Sequence, residues 1–134
     1  RAACGDHYRL PFDKDETWSI KYNLVWDKLF GLNIFDNDIF IDEVSYYMTK
    51  INKYGLPLDS RSDYTKSDWQ MWSTILCDNK EYTDAIISAM LSMLAETPDP
   101  IPFSDWYYSS TAIQRGFQNR SVQGGLFINM LKFQ

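Results

Sequence analysis

The sequence has 134 residues, 45% hydrophobic and 23% charged, with 6 Gly and 5 Pro, which suits one folded domain and excludes a disordered, collagenous or low-complexity chain. Its 13 Lys and Arg stand against 18 Asp and Glu, a formal charge of −5, and such a chain repels phosphate backbones and anionic lipid, so nucleic acid is not an expected partner. No uncharged apolar stretch reaches the ~18 residues of a membrane span, so no membrane insertion is expected.

Residues 1–15 read as an irregular lead, and Arg1 to Asp6 holds no apolar run of a remaining signal peptide. Asp13-Lys-Asp-Glu16 has the form of a capping box, and Trp18, Tyr22, Val25 and Leu29 follow at helical spacing, with Gly31 as terminator. A second helix is predicted over residues 36–54: acidic residues crowd its start, Phe40, Val44, Tyr47, Met48 and Ile51 form one face, and Gly55 with Pro57 stops it. A polar loop spans 55–66. Ser67-Asp-Trp-Gln70 and Asp78-Asn-Lys-Glu81 read as capping boxes opening a third and a fourth helix. The fourth turns Ile86, Ile87, Met90, Leu91 and Leu94 inward and ends before Pro98. Three prolines between Thr97 and Phe103 make a stiff link, and residues 104–120 allow a short helix, then a loop. Val122 to Phe133 reads as a final helix, with Gly124-Gly125 implying close approach of another backbone or a ligand. The expected fold class is all-α, five or six helices in antiparallel hairpins within a single helical domain, or part of a larger one, spanning 1–134.

The densest polar cluster is the loop from Leu58 to Trp69. Asp59, Arg61, Tyr64, Lys66, Asp68 and Trp69 are the candidate cleft and substrate-binding residues, because loops held by rigid elements carry sites and cations beside carboxylates suit a charged substrate. Asp59 with Asp68 offers paired carboxylates for acid and base work. Thr65, Lys66 and Asp68 offer a hydroxyl, an amine and an orienting group. Against these stands the plainer reading of a solvated loop with capping residues and surface ion pairs. His7, the sole histidine, reads as a surface or packing residue. Asp36-Asn-Asp38 fails the calcium-loop pattern and reads as helix capping. Asn119-Arg-Ser121 is a formal glycosylation sequon. Phe103-Ser-Asp-Trp-Tyr-Tyr108 supplies three adjacent aromatics that stack on a sugar, close a cleft or plug the core. Cys4 and Cys77 allow one disulfide at most, and Cys77 reads as a small hydrophobe. No Cys/His cluster of zinc spacing exists, so neither metal nor other cofactor is expected.

The stretch from Trp18 to Asn33, Tyr54-Gly-Leu-Pro-Leu-Asp-Ser-Arg61, Tyr64-Thr-Lys-Ser-Asp-Trp-Gln-Met-Trp72, Glu96-Thr-Pro98 with Pro102-Phe-Ser-Asp105, and Ser121-Val-Gln-Gly-Gly125 together resemble the secreted glutaminase A-like family of fungi and Bacteroides-type bacteria. The resemblance covers about residues 5–134. It implies the C-terminal portion of an (α/α)6 toroid-like, six-hairpin glycosidase-like domain, in a longer protein that is secreted, periplasmic or at the cell surface. It also implies an amidohydrolase that turns L-glutamine into L-glutamate and ammonia, with the remainder of the parent chain and a small-molecule substrate as partners. No catalytic assignment is carried over. The other readings are a carbohydrate-active helical toroid, for which aromatics and paired carboxylates are the tools, and a non-catalytic structural or binding module.

Overall fold

In a computed structural model of the chain, described here for residues 5–99 and 103–133, regular structure starts late. The sequence box at 13–16 opens no helix. Glu16 takes a left-handed φ of 61° and the Thr17 hydroxyl donates to the Lys14 carbonyl instead, at 2.8 Å. Side-chain and backbone bonds of this kind compete with helix at Thr and Asp. The lead is held by longer-range bonds: the Tyr8 N–H and the Lys21 ammonium donate to the buried Glu43 carboxylate at 2.7 and 3.1 Å, and the Ile20 N–H donates to the Leu58 carbonyl at 2.8 Å. His7 is buried and stacked on Tyr46, ring centroids 3.9 Å apart.

A 3-10 turn, Tyr22–Leu24, leads into α1, Val25–Phe30, which Gly31 closes in the left-handed conformation at φ 59°. Helix α2, Asn37–Met48, buries Phe40, Val44 and Tyr47 and stops at Thr49 rather than at residue 54. Strand β1, Tyr64–Lys66, runs directly into α3, Ser67–Ser73. Helix α4, Lys80–Glu96, is capped by Asn79, whose side chain accepts the Tyr82 N–H at 2.9 Å. Strands β2, Ser104–Tyr108, and β3, Gln114–Gln118, form a hairpin, and a 3-10 segment, Ser121–Phe133, follows. No helix among the described residues is long and apolar enough to cross a membrane.

The all-α expectation is therefore wrong. An antiparallel sheet in the order β1-β2-β3 joins three segments that the sequence reading treats as loop or short helix. Tyr64 lies opposite Tyr108, Thr65 opposite Tyr107 and Lys66 opposite Trp106. The physical reason is local: Trp106, Tyr107 and Tyr108 favour the pleated, half-buried surface of a strand, and they alternate, with Tyr107 buried and its two neighbours partly exposed. Strand β1 is only three residues long and polar, too short for any periodicity to mark it. The fold is mixed α and β.

The main core gathers Trp18, Val25, Phe40, Tyr47, Leu76 and Ile86, among others, from the lead, the helices and the connection between α3 and α4. A smaller cluster of Tyr54, Met93, Tyr107 and Ala112 packs beneath the sheet. On α4, Tyr82, Ile86, Met90 and Met93 face inward, whereas Ile87, Leu91 and Leu94, expected inward, are 39%, 60% and 50% exposed. Cys77 is half-buried against the main core, and burial pushes its thiol pKa up. Cys4, and with it the question of a disulfide, lies outside the described residues, as do Pro100, Ile101 and Pro102 of the proline link.

One buried hinge of polar groups positions the site. The Gln70 side chain on α3 accepts the Leu56 N–H at 2.8 Å and donates to the Tyr107 hydroxyl at 3.0 Å, and that hydroxyl donates to the Tyr54 carbonyl at 3.0 Å. A Cβ at Gly55 would lie 2.3 Å from the Gln70 Oε1, and Gly55 has φ 141°, so glycine is required at this crossing. Loop 54–58, α3 and β2 are thereby fixed to one another.

Candidate functional site: two carboxylates under two cations

The β1–α3 junction places Lys66 and Asp68 two residues apart, where extended backbone turns into helix. Ser67 and Gln70 do not form the expected capping box: Ser67 is the first helical residue with its hydroxyl unpartnered, and Gln70 serves the hinge just described. Beside this junction, β2 supplies the fully buried Asp105 and the approach to the last segment supplies Arg120. Arg120 binds Asp105 as a fork, Nε to Oδ1 at 3.0 Å and Nη2 to Oδ2 at 2.5 Å, and the Lys66 ammonium donates to Oδ2 at 3.4 Å.

The two carboxylates are pushed in opposite directions. Burial raises the Asp68 carboxyl above its usual range, and the negative charge of Asp105 adds to the rise. Burial would raise Asp105 as well, but the Arg120 fork and the Lys66 charge outweigh it and hold Asp105 below the usual range. Asp68 Oδ1 is buried and has no hydrogen-bond partner, like the neighbouring Thr65 Oγ1, Ser67 Oγ and Trp72 Nε1. Buried polar atoms are almost always paired, so a row of unpartnered ones along a single strand-helix junction stands out.

Aromatic rings wall the cations. The Lys66 ammonium sits 4.3 Å from the Phe117 ring centre, 5.3 Å from Trp69 and 5.7 Å from Trp106. Arg120 lies over Phe117 at 4.0 Å, and Arg115 lies 5.0 Å from Tyr64 and 4.6 Å from Trp106. The Lys66 side chain is 12% exposed and its charge is the shielded one, whereas Arg115 and Phe117 are exposed and Arg120 is partly so. Gly125 closes the opposite side: a Cβ there would stand 2.9 Å from the Asp68 Cβ and 2.7 Å from Trp72 Nε1. The close approach expected at the glycine pair exists at Gly125, against side chains, whereas Gly124 has nothing within 4 Å.

The six loop candidates thus divide. Tyr64, Lys66, Asp68 and Trp69 meet at the cluster. Asp59 and Arg61 lie with each other instead: the Arg61 Nε and Nη2 reach Oδ1 and Oδ2 of Asp59 at 2.9 and 2.7 Å, beside a cleft of about 390 Å3 that Trp69 also lines. The carboxylate that neighbours Asp68 is Asp105, not Asp59. Thr65 and Lys66 form no hydroxyl–amine pair, since the Thr65 hydroxyl has no partner and the Lys66 ammonium is on Asp105. Asp105, Trp106, Phe117 and Arg120 are absent from the loop reading. Their signals were the Ser104-Asp-Trp and Asn119-Arg-Ser segments, which carry charge beside aromatics but sit far from the loop in sequence. A broader cleft of about 980 Å3 lies elsewhere, and two of its lysines, Lys28 and Lys80, are engaged by Asn37 and Asp84. Among the described residues no group of three or more His, Cys, Asp or Glu is placed to hold a metal ion.

Comparison with known proteins gives this arrangement a family. Glutaminase A of Aspergillus oryzae is 32% identical over 124 residues, which is 90% of this chain and 18% of that protein. A protein named as a probable glutaminase in Arthroderma benhamiae is 27% identical over 130 residues, 77% of this chain and 15% of that protein. The chain therefore spans less than a fifth of the length of either curated relative. No solved structure matches it significantly. The family model described as the glutaminase A six helical-hairpin domain matches residues 1–130, nearly the whole chain, and the chain belongs to that family.

Proposed function

We propose that the chain supplies the proton-transfer centre of a glutaminase-type amidohydrolase acting outside the cytoplasm or at the cell surface. The reaction is hydrolysis of L-glutamine to L-glutamate and ammonia, and Asp68 moves the proton. The observation that carries this is the pair of neighbouring carboxylates with opposed pKa shifts, one fixed as an anion and one left proton-accepting with an unpartnered oxygen. Environments that drive two titratable groups apart mark acid and base roles.

The proposed chemistry uses the groups of this cluster. Water attacks the side-chain amide carbon, and its proton passes to the Asp68 carboxylate as the C–O bond forms. A carboxyl with a raised pKa is a stronger base than an ordinary aspartate. The negative charge that develops on the amide oxygen meets the field of Lys66 and Arg120, which Asp105 holds in position. Asp68 then gives its proton to the amide nitrogen as the C–N bond breaks, and ammonia leaves. Contact with the rest of a longer parent chain is part of the proposal. Its support is the uncovered apolar stripe of Ile87, Leu91 and Leu94 on α4, together with the much greater length of the relatives.

The test is ammonia release from L-glutamine by the intact natural protein and its Asp68→Asn variant. Release by the wild type, lowered roughly 100- to 10,000-fold in kcat by the variant, is expected for a lost acid–base group. Equal rates refute the role of Asp68. A second reading, glycan hydrolysis, draws on the aromatic rings around the two carboxylates. Sugar products without ammonia would replace the first reading with it.

A further inference from the structure

We propose that Asp59 and Arg61 form a subsite for the head group of a free α-amino acid, the carboxylate on Arg61 and the ammonium on Asp59, in the cleft that Trp69 borders. The inference rests on the amidohydrolase reading and assigns the part of the substrate that does not react.

The geometry of the pair is that of a fixed receptor. Asp59 is buried, its side chain 7% exposed, whereas the Arg61 side chain is 69% exposed. Three bonds lock the two together: the Arg61 Nε and backbone N–H donate to Oδ1 at 2.9 and 2.8 Å, and Nη2 donates to Oδ2 at 2.7 Å. Asp59 is itself held by strand-like bridges to Ser19 and Ser62. The exposed guanidinium therefore does not have to be ordered when a ligand arrives. Both Nη1 hydrogens and the second Nη2 hydrogen have no acceptor among the described residues, and together they present the planar donor edge that a carboxylate accepts in two bonds. The Arg61 fork and charge hold the Asp59 carboxyl below its usual range against the effect of burial, so it remains an anion for an ammonium group.

Two other cations near this cleft are already engaged. Lys66 is 12% exposed, on Asp105 and among three rings. Lys21 lines the same cleft, but its ammonium donates to Glu43 and to the Tyr8 and Ser19 carbonyls. A cleft whose own charges cancel, one exposed cation on one buried anion, matches a neutral zwitterion better than a dicarboxylate or a cation. Its volume of about 390 Å3 lies at the small end of the roughly 300–1,000 Å3 range of ligand clefts. Its wall is the Trp69–Tyr22 stack, ring centroids 4.0 Å apart and 9° from parallel. The Trp69 ring lines this cleft and lies 5.3 Å from the Lys66 ammonium, so one ring borders both the cleft and the Lys66 cluster. Both charges of the head group are recognised, so the substrate class is the free amino-acid amide, not a glutamine within a peptide.

The experiment uses the intact natural protein and its Arg61→Gln variant, with L-glutamine and 4-aminobutanamide, which lacks the α-carboxylate, as substrates. Calorimetric titration with L-glutamine accompanies ammonia release. The expected result is a KM and Kd for L-glutamine raised ~10- to 100-fold in the variant, the size of a lost hydrogen-bonded ion contact. The penalty on 4-aminobutanamide should be at least tenfold smaller. Equal penalties on both substrates would overturn the subsite and leave the amidohydrolase reading standing. A wild type that binds L-glutamine through Arg61 yet releases no ammonia would support the subsite and end that reading. A wild type that does neither ends both. Asp59→Asn checks the other charge: it should weaken L-glutamine and leave N-acetyl-L-glutamine, which has no ammonium, less affected.

Discussion

Adjacent glycines at 124 and 125 should respond oppositely to the same added methyl group. At Gly125 an alanine Cβ would lie 2.7 Å from Trp72 Nε1 and 2.9 Å from the Asp68 Cβ, both inside the distance that real contacts allow. Asp68 is buried and Trp72 packs against the main core, so neither can swing away freely. Overpacking of this kind costs about 1–3 kcal/mol. At Gly124 nothing lies within 4 Å and φ is ordinary, so alanine there should only restrict the unfolded chain and stabilise by about 0.4–1 kcal/mol. The two variants should therefore differ by ~2 kcal/mol. With urea slopes of ~1–3 kcal/mol per molar, that is a separation of roughly 1 M in midpoint. If Asp68 has the proposed role, Gly125→Ala should also depress ammonia release, because the added methyl presses on the Asp68 Cβ, while Gly124→Ala leaves it unchanged. Equal midpoints, or a Gly124→Ala variant that is the less stable of the two, would refute the argument that Gly125 is there for contact with α3.

Three further outcomes follow from the same geometry. Because the folded-state pKa of Asp68 is raised, its ionised form opposes folding at neutral pH, and the penalty is relieved as pH falls through that pKa. Asp68→Asn should thus be more stable than wild type at neutral pH, and the advantage should fade in acid; a constant advantage in urea midpoint from pH 7 to pH 4 would contradict it. Asp59 and Asp105 have lowered folded-state values, so their contribution is present above the unfolded value near 3.9 and is lost as pH falls below it; the wild-type midpoint should drop through that window, and Asp105→Asn should drop less steeply. Glu43→Ala should cost about 3–5 kcal/mol, since it leaves the Tyr8 N–H without its acceptor and the Lys21 charge without its carboxylate, on two carbonyls alone, and a midpoint within error of wild type would show that the lead is not pinned there.

The parts of the fold that were legible in the sequence are those set by periodicity and caps. Phe40, Val44 and Tyr47 recur at helical spacing and are buried together, and Gly31 ends its helix in the left-handed conformation that only glycine adopts easily. The sheet was not legible, because β1 has three residues and its pairing partner lies about forty positions away. Nothing local distinguishes Tyr64-Thr-Lys from loop. Helix α4 shows a related blindness. Ile87, Leu91 and Leu94 have the same apolar character as Ile86 and Met90, and the sequence assigns all of them inward, although the described residues cover only one side of the helix. An apolar residue reports that it is to be covered, not by which chain.

The site was legible in one half for a similar reason. Charge density within a loop singled out Asp59, Arg61, Lys66 and Asp68, but density cannot say which charges pair. Asp59 chose Arg61, two residues on, through a local fork, and Lys66 chose Asp105, thirty-nine residues on, across the sheet. That choice decides the chemistry. Were Asp68 the partner of Lys66, its carboxyl would be held low and it would be a poor base. With Arg120 and Lys66 drawn to Asp105, Asp68 is left buried beside an anion, which is the condition that raises an aspartate's hold on its proton. The sheet that sequence periodicity fails to reveal is thus the element that divides the charges, since β2 carries Asp105 to the foot of α3 and leaves Asp59 and Arg61 outside, paired and facing the cleft.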